Sequence, residues 1–140
     1  MHNNTLAFGC SHVPFEHKLF LEFLKEKQRK EKCNRVVCVG DLVDNHAFSA
    51  HFEQDPNGHS PKDEIKEARK RLEMWYKAFD ELFLSLGNHD ERVDLKAKHV
   101  GLPDDVMVNF RNIWHLPKRW KDAYSHELDG IRYFHGTGLS

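Results

Sequence analysis

The sequence predicts an α/β domain with a partly parallel sheet. Three observations carry that expectation. Short apolar runs at 5–9, 35–39 and 82–86 read as buried strands, and each runs into glycine and polar residues. Stretches with helical periodicity lie between them, giving the order strand–helix–strand–helix–strand. Asp129-Gly130, flanked by 122–128 and 131–135, marks a tight hairpin.

Each element follows from its residues. Thr5-Leu6-Ala7-Phe8-Gly9 is a short apolar run that stops at glycine. Pro14 is expected to open a helix whose apolar face is Leu19, Phe20, Phe23 and Leu24. The end of that helix, 25–32, carries five basic and two acidic residues and reads as a solvated surface. Arg35-Val36-Val37-Cys38-Val39 is rich in β-branched residues and stops at Gly40-Asp41. Residues 45–60 read as a long loop holding His46, His51 and His59, and loops of that length are often functional. Ser60-Pro61-Lys62-Asp63 has the cap, the early proline and the early acid of a helix start. Ile65, Ala68, Leu72, Trp75, Tyr76 and Phe79 follow at helical spacing as a core stripe. Leu82-Phe83-Leu84-Ser85-Leu86 is the third strand, and a short helix is expected between it and the hairpin. Trp114 and Trp120 read as packing residues.

The 140 residues suit a single domain spanning 1–140. The 21 Lys+Arg and 22 Asp+Glu leave a formal charge of −1, with 39% hydrophobic residues. That composition excludes a disordered or collagenous chain. It argues against gripping nucleic acid by bulk charge alone, but not against acting on phosphate through metals. Cys10, Cys33 and Cys38 form no Cys-x-x-Cys pair, so neither a disulfide framework nor a zinc knuckle is expected. No apolar run is long enough to span a bilayer and no signal-peptide core is present, so a soluble protein of a reducing cytoplasm is expected.

The chemistry gathers where the strands stop. The runs continue as Gly9-Cys10-Ser11-His12, Gly40-Asp41-Leu42-Val43-Asp44 and Gly87-Asn88-His89-Asp90, and the hairpin ends at His135-Gly136. In an open α/β sheet the carboxyl ends of the strands share one edge, so these distant clusters should meet there. Asp, Asn and His offer mixed oxygen and nitrogen donors, which suit Mn, Fe, Ni or Zn better than calcium. Turn chemistry explains the Gly and Asn of Gly-Asn-His-Asp but not its His.

In combination these blocks resemble the calcineurin-like metallophosphoesterases, and the loop and helix from Asp44-Asn45-His46 to Trp75-Tyr76-Lys77-Ala78-Phe79 further resemble a phage and bacterial branch of them. That family's pattern runs Asp-x-His, Gly-Asp-x-x-Asp, Gly-Asn-His-Asp/Glu, a His, and Gly-His-x-His. The resemblance implies an αββα sandwich fold, C-terminally truncated here because the last block is missing. It implies two divalent ions: one held by His12, Asp41 and the position of Cys10, the other by the bridging Asp41, Asn88 and His135. It implies a phosphoesterase in which a metal-bridging hydroxide attacks phosphorus in line. His89 would protonate the leaving oxygen, with Asp90 fixing its tautomer and Asp44 bracing the loop. His46, His51 and Arg92 are the candidates for touching substrate phosphate. Asp90, where protein phosphatases tend to have Glu, leans toward phosphodiester, nucleotide or nucleic-acid substrates.

Cys10 stands where the family has a metal-binding Asp. Two readings stay open: a ligand favouring zinc or iron over manganese or magnesium, or a small buried residue at a lost position. The missing block and the uncovered strand near 131–135 lead to an expectation of an oligomer or a complementing C-terminal fragment. The alternative to the enzyme is a catalytically impaired remnant that binds metal or a partner without appreciable turnover.

Overall fold

The computed structural model describes residues 3–49 and 60–136. The main sheet has four strands in the order β1 (Thr5–Phe8), β2 (Arg35–Cys38), β3 (Leu82–Ser85) and β4 (Trp120–Ala123). All three pairings are parallel, with Thr5 opposite Arg35, Val37 opposite Phe83 and Leu84 opposite Asp122. Parallel neighbours need crossovers: α1 (Phe20–Lys30) and α2 (Pro61–Ala78) provide the first two, and the segment between β3 and β4 the third. A separate antiparallel pair, β5 (Ser125–Leu128) and β6 (Ile131–Phe134), turns at Asp129-Gly130, both in the left-handed region as a two-residue hairpin requires.

Side chains alternate across β3. Leu82 and Leu84 join the helix-covered core, while Phe83 packs on the His126 ring at 5.3 Å and the Ser85 hydroxyl donates to the Tyr133 carbonyl at 2.9 Å. The sheet therefore carries helices on one face and the hairpin against the other. Phe8, Phe20, Trp75 and Phe79 form an aromatic cluster with ring centroids 5.6–6.3 Å apart. Removing a ring such as Trp75, which is fully buried, costs about 3–5 kcal/mol in cores of this kind.

The expected helix start at Ser60 is present: its side chain accepts from the Asp63 amide at 3.1 Å and Pro61 takes the first helical position. The stripe of α2 is core, as are Trp114 and Trp120. The basic end of α1 is solvated.

Several boundaries differ. Pro14 does not open α1, which starts at Phe20. Val13 is held extended by backbone hydrogen bonds to Leu42 and Asp44 at 2.9 and 3.0 Å, so no helix can begin there. The buried face of α1 is Phe20, Leu21 and Leu24, leaving Leu19 and Phe23 exposed. The first hairpin arm is split: Asp122 and Ala123 belong to β4, and only residues from Ser125 pair with β6. The arm reads as one strand because the switch between sheets costs a single exposed residue, Tyr124. The expected short helix is α3 (Arg92–His99), followed by a 3-10 turn (Asp104–Val106) and one helical turn, α4 (Phe110–Ile113). The loop expected over 45–60 begins with a 3-10 turn (His46–Phe48). His51 and His59 lie outside the described residues.

Candidate metal centre

Parallel pairing brings the ends of β1, β2 and β3 to one edge, and the loops leaving β1 and β2 then run side by side. The amides of Cys10, His12 and Val13 donate to the carbonyls of Gly40, Asp41 and Leu42 at 2.9, 3.0 and 2.9 Å. Cys10, His12, Asp41 and Asn45 all have φ between 50° and 57°. Left-handed backbone at a residue other than glycine costs on the order of 1–3 kcal/mol, and such strain clusters at functional sites. Two glycines permit the close approach. A Cβ on Gly87 would lie 2.5 Å from the Asp41 amide nitrogen, and one on Gly40 would lie 2.8 Å from the His135 Cβ.

Asp41 is the hub. Its carboxylate is 6% exposed; Oδ1 accepts from the His89 amide at 3.0 Å. Oδ2 faces His12 Nε2 at 3.8 Å and His135 Nε2 at 3.4 Å. Both imidazoles are anchored through their other nitrogen. His135 Nδ1 donates to the Val39 carbonyl at 2.9 Å, and His12 Nδ1 donates to Asp44 Oδ1 at 2.9 Å. A carbonyl only accepts, so Nδ1 carries a proton, while Nε2 faces Asn88 Oδ1, 3.0 Å away, and Asp41. His135 Nε2, Asn88 Oδ1 and Asp41 Oδ2 thus converge on one point. A bound cation satisfies all three at once, and anchored imidazoles beside a carboxylate are the usual outer support of such sites. Cys10 Sγ, an Asp41 carboxylate oxygen and a His135 ring nitrogen lie within 4.8 Å of one another, as do corresponding atoms of His12, Asp44 and His89. The donor set fits divalent ions.

The structure brings together Cys10, His12, Asp41, Asn88, His89 and His135. Arg92 joins them: Nη1 donates to the Asp44 carbonyl at 2.9 Å and Nη2 to His89 Nε2 at 3.1 Å. His46 is exposed on the turn after Asn45, with its ring edge-on to Phe15 at 6.4 Å. His17, His99 and His115 lie on the surface, and His126 is engaged with the Leu84 carbonyl.

Asp90 differs from its expected part. It does not fix the His89 ring, whose Nδ1 donates to the Asp44 carbonyl at 2.9 Å and lies 3.4 Å from Asp44 Oδ1. Asp90 is buried and accepts the amides of Asp41, Gly87 and Val43 at 2.9, 2.8 and 3.1 Å. Burial pushes its carboxyl up to about 7, with the Gly87 and Val43 amides pulling the other way. Its work is to tie two loops together. Cys10 is exposed, so it is not a small residue filling the core; Cys38 is that residue. Partial desolvation, then the Asp41 and Asp90 charges, push the Cys10 thiol above its ordinary value.

Sequence reasoning missed Glu64, which is buried in α2 and accepts the Ala47 amide at 3.1 Å, holding the turn that follows Asp44. Burial pushes its carboxyl above 4.5, while the Ala47 and His46 amides pull it down. An acid among helix residues gives no signal of this in sequence.

A family model of calcineurin-like phosphoesterases matches residues 4–137. The chain belongs to the calcineurin-like phosphoesterase family. The α/β architecture with a parallel four-stranded sheet agrees with that membership. Neither a curated protein nor a solved structure matches the chain. Calcineurin-like membership supports metal-dependent phosphoesterase activity in general, with divalent ions and phosphate-ester substrates implied. Among the described residues, no helix is long and apolar enough to cross a membrane.

Proposed function

We propose that this chain is a metal-dependent phosphodiesterase in which Asp41 would help to hold two divalent ions. The observation that carries the reading is the convergence of His12 Nε2 and His135 Nε2 on Asp41 Oδ2, at 3.8 and 3.4 Å. His12 and Asp41 would hold one ion; Asp41, Asn88 and His135 would hold the other. Mn, Fe, Ni and Zn all accept such donors. When bound, the ions supply Lewis acidity toward the phosphate oxygens and lower the pKa of water.

The chain's own residues supply the rest. With Nδ1 donating to the Asp44 carbonyl, His89 Nε2 is the atom that carries a proton to the leaving oxygen. Asp44 Oδ1, 3.4 Å from Nδ1, stabilises the ring when it is charged. Arg92 Nη2 and a protonated Nε2 cannot both donate across the 3.1 Å between them. Substrate phosphate resolves this by taking the guanidinium, which pairs bidentately with such oxyanions. His46 would meet the outer part of the ester. Phosphodiesters, including nucleotides and nucleic acid, are the favoured class because Gly-Asn-His ends here in Asp90. Its near-neutral charge suits a grip on the scissile phosphate through the site over a long polyanion tract.

The test is calorimetry with Mn²⁺ and Zn²⁺ on the wild type and His135→Ala, followed by hydrolysis of a chromogenic phosphodiester and a phosphomonoester. Two sites weakened by the substitution, with the diester cleaved faster, support the reading. No binding would favour the impaired protein.

A further inference from the structure

We propose that Cys10 is a thiolate ligand of the ion held by Asp41 and His135, rather than of the one that the family resemblance gives to His12 and Asp41, and that it makes this position select zinc or ferrous iron over manganese or magnesium. The inference rests on the metal reading above and deepens it.

Four observations carry it. Cys10 Sγ, an Asp41 oxygen and a His135 nitrogen are mutually within 4.8 Å. Ligand atoms around a tetrahedral zinc sit about 3.3–3.8 Å apart, given bonds of about 2.0–2.3 Å, so a small side-chain adjustment closes the set. Asn88 Oδ1, 3.0 Å from His135 Nε2, adds a further donor atom beside this set. The Asp41 side chain beside them is 6% exposed and turns Oδ2 into the same space. Finally, Cys10 is exposed while Cys38 is fully buried, so packing does not account for Cys10.

The chemistry of the set gives the preference. Sulfur with imidazole nitrogen and one carboxylate oxygen is a donor mixture for zinc and iron, whereas manganese and magnesium take oxygen. As the sulfur–metal bond forms, the thiol gives its proton to solvent, and no oxidation is involved.

Cobalt(II) alone is the probe, titrated into the wild type, Cys10→Ser and the control Cys33→Ser. The expected result is a near-ultraviolet sulfur-to-cobalt band growing in step with the visible cobalt bands. Cys10→Ser should lose the near-ultraviolet band and keep the visible ones, which also reports that it is folded. Cys33→Ser should keep both. In Cys10→Asp, the zinc-to-manganese affinity ratio should fall by more than about tenfold, the lower end of what losing even an outer-shell partner costs. Visible bands without the near-ultraviolet band in the wild type, or a near-ultraviolet band that survives in Cys10→Ser, would overturn the ligand role while leaving the metal site intact. No cobalt spectrum at all would overturn the metal reading together with this one.

Discussion

Asp44, not Asp90, is the partner of His89: the ring Nδ1 donates to the Asp44 carbonyl at 2.9 Å and lies 3.4 Å from Asp44 Oδ1. The same carboxylate oxygen receives His12 Nδ1 at 2.9 Å, so one aspartate orients an acid candidate and a metal-ligand candidate together.

Asp44→Asn should therefore reduce both functions. The backbone contact to His89 survives, but the charge facing both rings is lost. We expect kcat on a chromogenic phosphodiester to fall about 10- to 100-fold and metal affinity to weaken by a similar factor. Unchanged affinity, measured by calorimetry, would confine Asp44 to His89.

Asp90 should show the opposite profile. Asp90→Ala removes the acceptor of three amides, and a buried donor left unpaired costs about 1–3 kcal/mol. Urea unfolding of the metal-free protein should show a loss of about 3 kcal/mol or more. Asp90→Asn keeps one acceptor oxygen and should fall between. A variant that loses activity but no stability would return Asp90 to a direct catalytic part.

Gly87→Ala tests the close approach at the hub. The added Cβ would press on the Asp41 backbone nitrogen at 2.5 Å, which cannot move without moving its carboxylate. Metal affinity should drop more than about tenfold, the penalty expected when a ligand's support is disturbed. Retained affinity in calorimetry would mean that the β3 loop absorbs the strain.

Glu64 gives a pH dependence of stability. Its carboxyl is raised in the fold from 4.5, chiefly by burial. A raised acid contributes stability that is fully present below the unfolded pKa and is lost as pH rises through the folded one. Glu64→Gln has no such loss, so its melting temperature relative to wild type should rise as pH increases above 4.5. A difference that stays flat would remove Glu64 as the source.

The sequence alone determined the elements and the chemistry carried on them. Short apolar runs, helical periodicity, the Ser60 cap and Asp129-Gly130 are local signals, and local energetics suffice to read them. The clusters after β1, β2 and β3 were legible because parallel strands must end at one edge. Their combination carried the family. What only the tertiary structure decided is which neighbour each side chain meets. His89 is one residue from Asp90 and 45 from Asp44, yet the fold turns its ring to the distant one. Sequence periodicity says nothing about that direction. The exposure of Cys10, the parallel pairing of β4 with β3, and the buried Glu64 under the turn likewise depend on contacts between segments far apart in the chain. Such contacts follow from packing and register across the whole sheet, which no window of residues contains.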